Sequence, residues 1–209
     1  MSLFITFEGG EGCGKSTQSR LLYQRLQKLA IPSLLIHEPG ITKLGKKITQ
    51  LLKYAKDINI TPLAELLLFN VSRAQLMAEV IKPNLAKGNI VICDRYADST
   101  TAYQGYGRGV DLKEVKVAND LGTQGLKPDL TILMDIPVEI GLERKKNTKQ
   151  DRFQSENLSF HRRVREGYLK LAKSEPKRWL VIDAAKTKTE IAGVIWQRVS
   201  KLLKAVSIK

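Results

Sequence analysis

Residues Phe7 to Thr17 read FEGGEGCGKST, and the four residues before them, LFIT, are apolar or β-branched. Gly9 through Ser16 fits the pattern G-x-x-x-x-G-K-[ST] between a predicted strand and a predicted helix, the setting in which that pattern has a mechanism. Glycines let successive backbone N–H groups turn inward toward phosphate oxygens, and the helix that follows adds the positive end of its dipole. Lys15 supplies a mobile charge for the β and γ phosphates, and the Ser16 hydroxyl is the expected ligand of a magnesium ion bridging them. Gly9, Gly10, Glu11, Gly12, Cys13, Gly14, Lys15, Ser16 and Thr17 form the predicted triphosphate site, with Cys13 a small filler. The loop establishes triphosphate binding and leaves the acceptor open, since water, a protein, a nucleic acid or a small phosphorylated molecule could each receive the γ-phosphoryl group.

A loop of this kind needs a strand below it and a helix beyond it, and the rest of the chain repeats that alternation. LFITF (3–7), SLLIH (33–37), NIVIC (89–93), DLTILM (129–134) and WLVID (179–183) are near-continuous apolar runs, as expected of strands covered on both faces. Helical patterns fall at Ser16–Leu29, Leu44–Tyr54, Leu63–Ala86 with a break near Pro83, Leu112–Leu121, Val138–Lys145, Leu158–Ala172 and Glu190–Leu203. This order predicts an α/β fold, a parallel sheet with helices on both faces, whose strand ends line one ligand crevice. With 209 residues and 43% hydrophobic content, one domain over 1–209 is expected. No stretch approaches the length of a bilayer span, and Cys13 and Cys93 suit neither a disulfide framework nor a zinc site, so a cytoplasmic protein is the expectation. The net charge of +14 asks for a polyanion: nucleotide phosphates, nucleic acid or a membrane surface.

Three further features lie near the predicted crevice. CDRYADSTTAYQGYGRG (93–109) follows the third strand as a polar, glycine-rich continuation in which Arg95 could fork onto a phosphate; in isolation, Asp94 and Arg95 read as a pair bracing a loop. Phe69 and Arg73 are four apart on a helix, so a ring and a guanidinium share a face and could hold one flat base. ERKKNTKQDR (143–152) is a dense basic run of the kind usually left as solvated surface, or, in a phosphoryl transferase, able to close over a triphosphate.

Over essentially the whole chain these residues resemble bacterial thymidylate kinase, through FEGGEGCGKST, HEPG, LLLFNVSRAQL, VIKPNLAKG, CDRYADSTTAYQGYGRG, KPDLTILMDIPVEIGLER, DRF and FHRRVREGYLKLA. The resemblance implies transfer of the γ-phosphoryl group of Mg-ATP to dTMP. It also implies a three-layer, doubly wound, five-stranded parallel sheet, a small mobile lid at about 143–155 and a homodimer acting on dTMP and ATP, with no nucleic-acid or membrane partner. Carried over by position, Gly9 to Thr17 hold ATP, Lys15 and Arg95 act on the transferring and acceptor phosphates, and Ser16 and Glu11 lie at the magnesium. Phe69 stacks on the base, Arg73 bonds its carbonyl, Thr100 and Gln104 sit at its edge, Tyr103 lies beneath the deoxyribose, and Glu11 and Glu38 complete the acceptor site. Arg144, Lys149 and Arg152, with Lys146, are the lid candidates for the extra positive charge.

The chain departs from the family pattern at His37 and Thr49, where arginines are usual, at Ile41, where a glycine is common, and at Gln154, where glutamate usually follows DRF. Lys46, Lys47 or Lys53 could replace the missing charge, though as point charges without a bidentate fork. Two other readings suit a P-loop: a kinase for another nucleotide or a nucleoside, and a nucleic-acid-binding ATPase, against which stands the lack of aromatic residues interleaved with the basic ones.

Overall fold

Every residue of LFITFE is buried, and the run forms β1 (Leu3–Glu8) at the centre of the sheet. The computed structural model describes residues 2–55, 57–146 and 151–207. Among them five parallel strands stand in the order β2-β3-β1-β4-β5, with β2 at Ser33–His37, β3 at Ile90–Asp94, β4 at Leu130–Asp135 and β5 at Trp179–Asp183. Ile5 stands opposite Ile92 of β3, and Phe7 opposite Ile132 of β4, so β1 has a parallel neighbour on each side. The five predicted runs match these strands to within a residue at each end. Burial on both faces holds for β1 and for nearly all of β3 and β4, while β2 and β5, at the edges, are only partly covered.

The helices are α1 (Lys15–Lys28), α2 (Lys43–Tyr54), α3 (Pro62–Leu76), α4 (Lys82–Ala86), α5 (Ala97–Thr100), α6 (Leu112–Thr123), α7 (Val138–Glu143), α8 (Leu158–Ser174) and α9 (Lys188–Ser207). Side-chain alternation along β1 separates two layers around the sheet. Leu3, Ile5 and Phe7 join Leu22 and Leu26 of α1 and Ile191, Ile195 and Val199 of α9. Phe4 joins Leu76, Met77, Ile81 and Tyr96 on the other face, where Leu133 and Trp179 also meet Phe160, Val164 and Tyr168 of α8. Among the described residues no helix is long and apolar enough to cross a membrane.

Two segments differ from the sequence expectation. The predicted break near Pro83 is a π-helical turn at Met77–Ile81 between α3 and α4, which widens the helix just before a residue that cannot donate to the preceding turn. The stretch expected as a glycine-rich continuation, 97–107, is helical throughout, α5 running into a π-helical turn at Thr101–Gly107. Its glycines serve close packing: a Cβ on Gly107 would stand 2.7 Å from Phe160 and one on Gly105 2.7 Å from Leu112. Tertiary contact with α6 and α8 overrides weak local propensity.

The P-loop, Gly9 to Gly14, is seated on α7 by backbone contact. A Cβ on Gly141 would lie 2.3 Å from the Glu11 carbonyl oxygen, and one on Gly12, at φ +66°, would lie 1.9 Å from the Gly141 oxygen. Gly141→Ala is therefore expected to destabilise the protein by about 1–3 kcal/mol, as overpacking does, and to weaken nucleotide binding by displacing the loop. Denaturant midpoints and nucleotide titrations check this; an unchanged midpoint would mean that α7 can step away freely.

Candidate active site

Two cavities open side by side at the strand ends. A cleft of about 1020 Å³ runs along the P-loop from Glu11 to Thr17 and is closed by His37, Asp94, Arg144 and Gln154. A second cavity, of about 460 Å³, is lined by Phe69, Arg73, Thr100, Tyr103 and Gln104, together with Tyr96, Ser99 and Phe153. Glu11, Glu38, Lys53, Arg95 and Asp151 line both. Every residue assigned to the acceptor from the sequence (Glu11, Glu38, Phe69, Arg73, Arg95, Thr100, Tyr103, Gln104) thus falls on one cavity.

In the P-loop cleft Lys15 Nζ donates to the Gly9 and Gly10 carbonyls at 2.9 and 2.7 Å, and buried Cys13 sits behind it at 3.4 Å. The Ser16 hydroxyl donates to Asp94 Oδ2. Asp94 therefore pairs across to the P-loop, and Arg95 pairs with Glu11, which corrects the reading of Asp94 and Arg95 as mutual partners. A hydroxyl and a carboxylate meeting beside the phosphate-binding backbone are hard oxygen donors that fit a magnesium ion, which takes few protein ligands.

Arg95 has φ +74°, a left-handed backbone that a non-glycine residue adopts at a cost of about 1–3 kcal/mol. Its guanidinium is fixed from several elements. Nη2 donates to Glu11 Oε1 at 2.8 Å and to the Tyr103 hydroxyl at 3.1 Å, and Nη1 donates to the Gly9 carbonyl, Ser99 and Tyr168. Tyr103 in turn donates to Glu11 Oε1 at 2.8 Å. Burial by itself would raise the Glu11 pKa, but Arg95, Lys15 and Tyr103 outweigh it and hold the carboxyl at about 2.

In the acceptor cavity Arg73 is buried, with Nε donating to Glu38, Nη1 to Asn70 and Asn119, and Nη2 to the Tyr96 carbonyl and Thr100. All five N–H groups are thus satisfied within the protein, so an outside acceptor has to exchange with one of them, the Thr100 hydroxyl being the smallest to turn. Burial raises the Glu38 pKa despite Arg73, and among the described residues Glu38 Oε1 has no hydrogen-bond partner. Gln104 donates to buried Glu65 at 2.8 Å, and the half-buried Phe69 ring stands 5.7 Å from Phe153.

The basic run divides. Arg144 reaches the P-loop cleft, donating to the Gly12 and Ala184 carbonyls at 3.4 Å. Lys146 pairs with Glu143 at the surface, and Lys149 lies outside the described residues. Arg152 turns away from the P-loop, donating to the Leu52 carbonyl and to Glu65, whose side chain is 1% exposed. It is a partner to a buried carboxylate, not the solvated charge the run suggests. Among the candidate replacements for the missing arginines, Lys53 lines both cavities while Lys46 and Lys47 are exposed. Burial lowers the His37 pKa, so this residue brings no charge at neutral pH, and Thr49 donates to its own helix at the Gly45 carbonyl. Asp94, Tyr96, Ser99, Asp151 and Phe153 are among the wall residues that the sequence-based assignment left out. The strand-end carboxylate was the one signal available for Asp94.

A thymidylate kinase family model matches residues 7–195. The chain is 58% identical to a thymidylate kinase of Dehalococcoides mccartyi, covering 98% of this chain and 99% of that one. It is 46% identical to a thymidylate kinase of Trichlorobacter lovleyi, covering 92% and 94%. The crystal structure of a thymidylate kinase from Ehrlichia chaffeensis superposes with a TM-score of 0.75 at 37% identity, over 93% of this chain and 98% of that one.

Beneath the site, Glu8 is buried and accepts from the Tyr96 N–H at 2.8 Å and from the Ser99 and Tyr168 hydroxyls. Burial, with Asp98 nearby, pushes its pKa up to about 7 from 4.5. A carboxyl raised on folding holds its proton longer in the native state, so its ionisation penalty is absent below pH 4.5, grows from there to about 7 and is complete above. His37 and His161, lowered by burial, act in the opposite sense on the acid side of their usual range. The comparison with Glu8→Gln isolates the carboxyl: the stability of the variant relative to the parent should rise between pH 5 and 8, read from denaturant midpoints. A difference that stays flat with pH would show that Glu8 ionises normally.

Proposed function

We infer the working of the site from one premise: the chain belongs to the thymidylate kinase family. It is an enzyme that phosphorylates dTMP to dTDP with ATP as the phosphoryl donor. ATP occupies the P-loop cleft and dTMP the second cavity, with the shared wall where their phosphates meet. The observation that carries this assignment is that the cavity lined by Phe69, Arg73, Thr100, Tyr103 and Gln104 shares Arg95 and four other wall residues with the cleft that contains Lys15. Phe69 stacks on thymine, Thr100, Gln104 and Arg73 face its polar edge, and Tyr103 lies against the deoxyribose.

The attacking group is a phosphate oxygen, already ionised near neutrality because a phosphate monoester has its second pKa at about 6. No general base is required, and catalysis reduces to alignment and neutralisation of charge. Arg95, held by Glu11, fixes the acceptor phosphate, while Lys15 exchanges its loop carbonyls for phosphate oxygens and Arg144 adds charge from the side of α7. Ser16 and Asp94 would hold magnesium, with Glu11 close by, and when bound the ion neutralises the β and γ oxygens. Segment 143–155 acts as a lid within a single domain, and a cytoplasmic location belongs to the same proposal. In a panel of the common nucleoside monophosphates with Mg-ATP, dTMP is expected to give the fastest ADP release. A faster acceptor would remove the thymine assignment.

Homodimerisation is supported by an apolar face away from both cavities. Leu63, Leu67 and Val71 repeat along α3 at helical spacing, each about half exposed, beside Val117 and Leu121 of α6, which are 60% and 73% exposed. Leu121→Asp places a charge in that face and should convert a dimer to a monomer in sedimentation velocity. A parent protein that sediments as a monomer would dispose of the proposal.

A further inference from the structure

Residues Asp151–Glu156 are anchored on both sides of the site. The Arg152 N–H donates to the Lys53 carbonyl, and Phe153 is buried beside Phe69 and Tyr103 in the acceptor cavity. Gln154 is the point at which this segment touches the P-loop. Its Nε2 donates to Glu11 Oε2 at 3.3 Å, on the opposite side of the carboxylate from Arg95 and Tyr103, and its Oε1 accepts from the Asp151 N–H at 3.4 Å.

We propose that Gln154 is a positioning residue for the transfer: its amide latches the Asp151–Glu156 segment to Glu11 and so joins the wall of the acceptor cavity to the P-loop. The proposal rests on the assignment of that cavity to dTMP. An amide suits the place because Glu11 and Asp151 are both carboxylates at the same junction, and a third carboxylate there would be repelled unless protonated or bridged by a cation. When the latch opens, the orientation of Glu11 toward Arg95 and the seat of Phe153 loosen together.

The test uses the full-length protein with Gln154→Glu and Gln154→Ala, read by protection of the residue 153 and 154 backbone amides, which donate to Asp151 Oδ1 at 3.0 Å, and by KM for dTMP. Near neutral pH the Glu variant should lose protection and raise KM about tenfold, the size expected for losing a hydrogen bond to a charged group. The Ala variant should show a smaller change in the same direction. At about pH 5 a carboxyl beside two carboxylates regains its proton and can donate, so protection should return in the Glu variant only. Acidification also acts on His161, and the parent protein measured at both pH values carries that change; Asp151, Lys53, Arg95 and Lys15 are the other charged groups around the junction. Parent-like protection and KM in both variants overturns the proposal, as does a Glu variant that behaves like Ala at both pH values. Should the Glu variant not fold, parent-like protection and KM in Ala alone overturns it. Amide protection is read without substrate, so a failed dTMP assignment leaves that arm intact.

Discussion

The guanidinium of Arg95 is the fixture around which the site is assembled. It emerges from a backbone in the left-handed region and is held by acceptors from the P-loop, from 97–107 and from α8, so strain at one residue is balanced by contacts from three parts of the chain. Without Glu11 the guanidinium would swing, and without Tyr103 both would lose their common partner. The helical course of 97–107 matters because it brings Ser99 and Tyr103 to the same side, four residues apart, facing that charge.

Two glutamates three residues apart show how far surroundings decide chemistry. Glu8 meets hydroxyls and one backbone N–H in the dry interior, and burial dominates. Glu11, partly buried on the cavity walls, lies between Arg95 and Lys15, and the attraction of two cations reverses the sign. One becomes a neutral prop under the site at mildly acidic pH, and the other a permanent anion within it.

What the sequence made legible was mostly local. The P-loop and five apolar runs located the sheet to within a residue, and helical spacing alone placed Phe69 and Arg73 on one wall. The resemblance to a known family supplied Thr100, Tyr103 and Gln104, which no periodicity singles out. The failures were long-range. Arg152 reads as one more solvated cation until the fold brings it to Glu65, 87 residues away, and Asp94 reads as the partner of its neighbour until Ser16 arrives from 78 residues away. The helix at 97–107 was hidden because its glycines, unfavourable for a helix, are required by Phe160 and Val164 of α8 and a leucine of α6.

The five residues common to both cavities have a thermodynamic consequence. Glu11, Glu38, Lys53, Arg95 and Asp151 line both cavities, and with ATP assigned to one and dTMP to the other, any rearrangement that one substrate imposes on them alters the affinity for the other. Linkage makes that influence reciprocal: the factor by which bound ATP changes the affinity for dTMP equals the factor by which bound dTMP changes the affinity for ATP. A common wall therefore makes the two binding equilibria a single coupled one, and substitutions in it act on cooperativity as well as on either affinity.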